Sequence, residues 1–286
     1  MGARWNSIEQ SPLYDEHLPL GAVFGDPEAL CAAPLHYGSQ AEEPVALEQG
    51  CALCDLSGMT CLLVRGEGVG PFVQASCACA LPQVGECAFG AVVTGDGSVA
   101  SIPLVARTGD TECLVFDPTE RGLMLEPWLG FLAQIEQDGF RPFEGVTVGD
   151  ETDSLVPLLL WGPKAPAILA DYVPSAEALP VAGHIDNVRL DSIECLVAAL
   201  PRTDEPSYLV LVPPAAARVL WRSFLSFSSV VPVGTDALVA QATRELPWLS
   251  RAIEAGKLEL ALEDLLAWEL ARKEGGYVGE RALHSH

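Results

Sequence analysis

Two cysteine pairs are the first candidates for chemistry. Cys51-x-x-Cys54 has the spacing at which two thiolates hold a metal ion or run a dithiol–disulfide couple, and Cys77-Ala-Cys79 sets two more sulfurs close together. A closed zinc site needs four ligands, however. No second pair matches the first, and Cys-Ala-Cys has the wrong spacing for a zinc knuckle. The nine cysteines, Cys31, Cys51, Cys54, Cys61, Cys77, Cys79, Cys87, Cys113 and Cys195, stand mostly inside apolar runs such as Cys61-Leu-Leu-Val64 and Cys113-Leu-Val-Phe116. That is the pattern of reduced, buried, small hydrophobes, with redox switching at Cys51 and Cys54 a remote alternative. Among the acids, Glu205 lies in Thr203-Asp-Glu-Pro-Ser-Tyr208, which taken alone reads as a solvated turn. Arg107, Arg121, Arg202 and Arg218 read as solubilising charge that is also available to an anionic ligand.

The elements that must carry these residues repeat. Thr60-Cys-Leu-Leu-Val-Arg-Gly66 is a short β run ending at glycine before a helical pattern through Phe72 and Val73, and Leu158-Leu-Leu-Trp-Gly162 does the same before Ala165, Ile168 and Leu169. Cys113-Leu-Val-Phe-Asp-Pro118 enters a helix around Leu123, Trp128 and Leu132, as Tyr208-Leu-Val-Leu-Val-Pro213 does around Val219, Trp221 and Phe224. Strands ending at Arg107 and Arg202 lie between them. All three anchors recur 95 or 96 positions apart, which predicts a duplicated β-α-β-β-α unit. In the first copy Gly95-Asp-Gly-Ser98 predicts a hairpin between strands at 89–93 and 99–106. The expected fold is α+β, with two ferredoxin-like copies packed around a central cavity, a natural ligand site. The copies fall at about 60–137 and 157–227 within a core spanning 1–240. A helical extension over 241–286 follows, with Leu258, Leu262, Leu265, Leu266 and Leu270 as its packing stripe.

Composition narrows the partners. Of 286 residues, 16 are Lys or Arg and 39 are Asp or Glu, a formal net charge of −23, which repels a nucleic-acid backbone or an anionic bilayer. The start, with Glu9, Asp15 and Glu16, lacks the basic and apolar regions of a secretory signal, and every apolar run is interrupted well short of a membrane span. A soluble cytoplasmic protein is expected, with 49% hydrophobic content to build its core.

Five segments, in order from residue 11 to 283, resemble the glycine-cleavage T-protein (aminomethyltransferase) family. They are Ser11-Pro-Leu-Tyr-Asp-Glu-His17 with Leu20-Gly21, Cys54-Asp-Leu-Ser-Gly-Met59, Trp161-Gly-Pro-Lys164, Thr203-Asp-Glu-Pro-Ser-Tyr208 and Tyr277-Val-Gly-Glu-Arg-Ala-Leu283. The resemblance implies a tetrahydrofolate-binding protein of one-carbon metabolism, whose folate accepts a one-carbon unit from an aminomethyl or N-methyl donor. A pterin edge offers ring N–H and amino donors, and a carboxylate accepting two of them fixes its orientation. Glu205 stands at the position of the family's clamping glutamate. Phe89 stands where the family places a folate-contacting tyrosine, Met59 at the methionine of its Ser-His-Met element with Gly58 for the histidine, and Val115 and Asp117 at its Val-Asn strand end. Each of these four reads equally well as a packing or turn residue.

The departures are specific. The resemblance places paired aspartates after the hairpin, one of them the acid or base at the folate nitrogen, and this chain has Ser101 and Ile102 there. A serine hydroxyl is no general base near neutral pH, and isoleucine is none at all. Gly234-Thr-Asp-Ala-Leu238 lacks both arginines of the family's helix start. Gly276 replaces the cysteine of the related iron–sulfur-linked folate proteins, and the chain ends three residues after Leu283, where T-proteins continue into a third, mostly β domain. Two readings follow: a folate-dependent one-carbon transferase with a degenerate acid–base site, or a non-catalytic folate-binding or assembly module whose chemistry or missing domain a partner supplies.

Overall fold

The computed structural model describes residues 11–25, 33–38, 40–253 and 256–284; Glu9 and Cys31 lie outside the described residues. Among the described residues the strands, in chain order, are β1 Cys51–Asp55, β2 Thr60–Arg65, β3 Cys87–Phe89, β4 Val92–Val93, β5 Val99–Ser101, β6 Leu104–Gly109, β7 Glu112–Asp117, β8 Thr147–Asp150, β9 Val156–Trp161, β10 His184–Leu190, β11 Ile193–Ala199, β12 Ser207–Val212 and β13 Val230–Pro232. The helices are α1 Tyr14–His17, α2 Glu43–Gln49, α3 Val69–Ser76, α4 Leu125–Ala133, α5 Ala165–Ala170, α6 Pro214–Leu225, α7 Thr235–Glu245, α8 Leu249–Ala252, α9 Leu262–Ala267 and α10 Glu280–Leu283. The chain forms two units, one within Met1–Met59 and Thr152–Leu246, the other within Thr60–Glu151 and Pro247–His286. Mixed α+β character, as the sequence predicts, holds in both.

The first unit is built on a six-stranded sheet in the order β10-β11-β12-β9-β1-β13. Its neighbours are antiparallel except β1 and β13. Alternate residues of its strands, Leu158 and Leu160, Val210 and Val212, Cys195 and Val197, share one core with α5 and α6. Helix α6 presents Ala217, Leu220, Trp221 and Phe224 to it, the i, i+3, i+4, i+7 spacing of one helical face, and Pro214 starts the helix where no N–H is needed. Each fully buried Leu or Phe contributes about 1.5–3 kcal/mol. All six residues of β9 are buried, which is why it reads as a continuous apolar run rather than an alternating one.

The second unit has a five-stranded antiparallel sheet, β3-β6-β7-β2-β8, and a separate β4-β5 ribbon. Leu62 and Val64, Val105, and Cys113 and Val115 face α3 and α4 through Phe72, Val73, Leu125, Leu129 and Leu132. Arg272, from the C-terminal segment, donates to the carbonyls of Gln74, Cys77, Ala78 and Cys79 at the end of α3, satisfying groups that a helix terminus leaves unpaired.

Two expected elements differ in detail. The hairpin at 89–106 is not continuous: Phe89 pairs with Leu104 in the main sheet, whereas Val92 and Val93 pair with Ser101 and Val99 in the ribbon. Pro103, with no N–H, breaks the ladder between β5 and β6. The turn itself forms as expected, with Gly97 at φ 86°. The leucine stripe is likewise not one helix. Leu258 and Leu260 are buried on either side of exposed Glu259, a period of two, and Leu258 bridges Val99 as a strand partner before α9 begins at Leu262.

Candidate functional site

Strand β7 ends at Asp117, whose side chain is 2% exposed. Asp117 Oδ1 accepts from the backbone N–H of Thr119 at 2.7 Å, and Oδ2 accepts the hydroxyl proton of Ser101, itself fully buried at the end of β5. Two residues sixteen positions apart, each singled out from the sequence separately, are therefore one hydrogen-bonded pair. Burial pushes the Asp117 carboxyl above its ordinary range, against the opposing effects of the Ser101 and Thr119 bonds and of the Arg121 charge. Arg121 is itself buried and donates to the carbonyls of Val99, Ala100, Ala252 and Gly256. It ties the ribbon to the C-terminal segment of the same unit and is no surface charge. Ile102, next to Ser101, is buried.

Val115, two residues before Asp117, points into the core with Leu62 and Val105. Phe89 is half-buried at the end of β3, edge-on to Trp248 at 5.4 Å between ring centroids. Trp248 in turn neighbours Trp268, over which the Arg251 guanidinium lies. This makes an aromatic wall within the second unit.

In the first unit, Glu205 lies in the turn between β11 and β12 and is half-buried. Its carboxylate has no hydrogen-bond or ion-pair partner among the described residues, while the turn around it is fixed. Thr203 and Ser207 hydroxyls lie 2.9 Å apart, and the Asp204 N–H donates to Glu245 at 2.7 Å. Met59 is buried in the turn after β1, which Gly58 makes possible at φ 91°.

One network was not legible as a unit in the sequence. His17 Nε2 lies 2.9 Å from Asp55 Oδ2 and His17 Nδ1 2.9 Å from the Tyr37 hydroxyl, while Asp55 Oδ1 accepts from both the N–H and the hydroxyl of Ser57 at 2.9 and 2.6 Å. All four residues are buried. Ser57 donates to the aspartate rather than to the imidazole, so this is no base-activated nucleophile. It fastens the N-terminal segment to the loop after β1. The signal in the sequence was the pair of motifs that contain His17 and Asp55, which carried the resemblance without showing their contact.

The eight described cysteines are free and buried. Burial pushes the thiols of Cys51, Cys61, Cys87 and Cys195 up to about 12 and that of Cys77 up to about 11. No group of three or more metal-capable side chains occurs among the described residues. Arg107 lies 3.8 Å from Asp110, and Arg218 donates to the Pro12 carbonyl and to Asp15. A surface pocket of about 190 Å³ at the β4-β5 turn is lined by Asp96, Ser98, Lys257 and Glu259, and none of Met59, Phe89, Ser101, Val115, Asp117 and Glu205 lines it. No described helix is long and apolar enough to cross a membrane.

The five ordered motifs thus lie in a chain of two mixed α+β units. Residues 13–244 match the GCVT N-terminal domain, and the protein belongs to that family, the glycine-cleavage T-protein superfamily. It is 25% identical over 280 residues to an aminomethyltransferase of Chlorobium limicola, covering 96% of this chain and 75% of that one. It is 28% identical over 289 residues to an aminomethyltransferase of Stenotrophomonas maltophilia, covering 97% and 74%. In fold it is similar to the glycine cleavage system aminomethyltransferase T of Bartonella henselae, with a TM-score of 0.75 at 21% identity over 96% of this chain and 73% of that one.

Proposed function

We propose that this protein binds tetrahydrofolate and takes part in one-carbon transfer from an aminomethyl or N-methyl donor. The observation that carries this reading is Glu205, a half-buried carboxylate held in a fixed turn with no partner among the described residues, in a chain whose relatives are aminomethyltransferases. A pteridine edge supplies the two parallel N–H donors such a carboxylate lacks, which is the fit this donor set allows. The family resemblance also assigns ligand contact to Met59, to Phe89 as aromatic wall, and to Ser101, Asp117 and Val115. Folate supplies the accepting nitrogen when bound, and this chain's part is to orient it and to exchange its proton.

The internal order of each unit supports descent from a duplicated ferredoxin-like element. In the second, β2-α3-β6-β7-α4-β8 is a β-α-β-β-α-β run whose strands lie 4-1-3-2. In the first, β9-α5-β11-β12-α6-β13 follows the same sequence with β1 inserted between β9 and β13. Gly66 and Gly162 occupy the same place in both, at φ 137° and 127°.

A second reading, a non-catalytic folate-binding or assembly module working with a partner protein, is favoured by Ser101 and Ile102 at the positions where the family resemblance expects acids. Calorimetry with tetrahydrofolate decides whether either folate reading holds, and Glu205→Ala should weaken binding by about 1–3 kcal/mol through loss of charge-assisted hydrogen bonds. Turnover with an aminomethyl donor then separates transferase from module.

A further inference from the structure

The loss of both acids after the hairpin leaves open where this chain holds a proton-exchanging group. We infer that Asp117 is that group, presented from the end of β7, and that Ser101 is its positioning residue. The inference rests on the folate reading and names the acid–base residue within it.

A buried carboxyl is costly to keep ionisable. Asp117 is 2% exposed and fully buried Ser101 meets one of its oxygens, the Thr119 N–H the other. An asparagine would serve strand fastening as well. Its oxygen accepts from the Thr119 N–H and its amide donates to the Ser101 hydroxyl, with no charge to take out of water. Keeping an ionisable group where an amide would fasten β5 to β7 equally well is the mark of a group retained for its proton. The surroundings tune rather than neutralise it. Arg121, on the turn that follows β7, is the charged group whose field reaches the carboxyl; Ser101 on β5 and Thr60, opposite Asp117 on β2, bring hydroxyls and no charge. Arg121 itself is held in place by backbone carbonyls of the ribbon and the C-terminal segment. Burial raises the carboxyl above its ordinary range, while the Ser101 hydroxyl, the Thr119 N–H and the Arg121 charge hold it down.

The step balances without a redox partner. As the nitrogen–carbon bond to the incoming one-carbon unit forms, Asp117 accepts the proton that the attacking secondary amine gives up. It then returns that proton to the departing amine, which leaves with the electron pair of its broken carbon–nitrogen bond. Ser101 keeps its own proton throughout and fixes the carboxylate oxygen.

The test is the proton linkage of tetrahydrofolate binding to the intact protein, measured calorimetrically in buffers of different ionisation enthalpy across about pH 5–8. The wild type should exchange protons on binding, with a midpoint above the ordinary carboxyl range. Asp117→Asn should bind with that exchange lost. Ser101→Ala should keep it with the midpoint moved to higher pH, because the lost hydroxyl favoured the ionised form. Glu205→Ala should weaken binding with the midpoint unmoved. Binding without any proton exchange, exchange that survives Asp117→Asn, or an unmoved midpoint in Ser101→Ala would each overturn the inference and leave the folate reading standing. Should Asp117→Asn fail to fold, the Ser101→Ala midpoint decides alone. Absence of wild-type binding overturns the folate reading itself, and this assignment with it.

Discussion

A buried ionisable side chain is stable only when its surroundings replace the water it has lost, and two such groups here are handled in opposite ways. Asp55 receives the Ser57 N–H, the Ser57 hydroxyl and the His17 imidazole, and Tyr37 completes the imidazole's partners. Such a saturated network is structural, and it breaks badly. Asp55→Ala strands His17 and Ser57 in the interior and should cost about 1–3 kcal/mol by urea denaturation. Combined with His17→Ala the loss should be less than additive, since one network is removed once. Additive losses would show the two residues to be independent. Asp117 has fewer donors, and Glu205 has none among the described residues. At this scale the sequence revealed residue types but not company. Glu205, Ser101 and Asp117 were each visible through the family resemblance, yet the contact between Ser101 and Asp117 depends on the ends of two strands that meet only in three dimensions. The His17 network was invisible for the same reason.

At the scale of elements, the repeated strand end is the clearest case of sequence specifying geometry. Gly66 and Gly162 lie at φ values open essentially to glycine alone, and each closes equivalent bonds. Their N–H groups donate to Thr111 and Pro206 in the following hairpin turns, and their carbonyls accept from Val69 and Ala165 at the helix starts. A Cβ on Gly162 would come within 2.7 Å of the Gly50 carbonyl oxygen, and one on Gly66 would strike that of Gly145. Gly66→Ala and Gly162→Ala should therefore each lower stability by at least about 1–3 kcal/mol, read as a shifted urea midpoint. Unchanged midpoints would mean that the turns relax freely. The repeat offset was legible because apolar runs ending in glycine are rare punctuation. The broken hairpin was less so, since Pro103 divides one apolar stretch between two sheets. The leucine stripe misled because spacing over thirteen residues fits a helix, while burial alternates at Leu258 and Leu260.

Across the whole molecule, the cysteine and charge patterns have separate consequences. The described thiols are buried, with several pushed far above neutral pH, so those eight should resist a thiol reagent at neutral pH until the protein is unfolded. Rapid modification of Cys51 or Cys54 in the native state would revive the redox reading. The net charge of −23 sets a weakly hostile field for any anionic ligand, and raising the salt concentration should strengthen binding of a polyglutamylated folate more than that of a monoglutamate. Fold class and family were readable from composition, repeats and five short motifs, because these are properties of local sequence. The division into two discontinuous units was not, because it depends on which strand a returning chain joins. The central claim is that a carboxylate of this chain grips a reduced pteridine. Titrating tetrahydrofolate into wild-type protein and Glu205→Ala in the calorimeter tests it most directly. Saturable binding that weakens about 10- to 100-fold on loss of the carboxylate is the predicted result. Heats of dilution alone from the wild type, or equal affinity in both proteins, would contradict it.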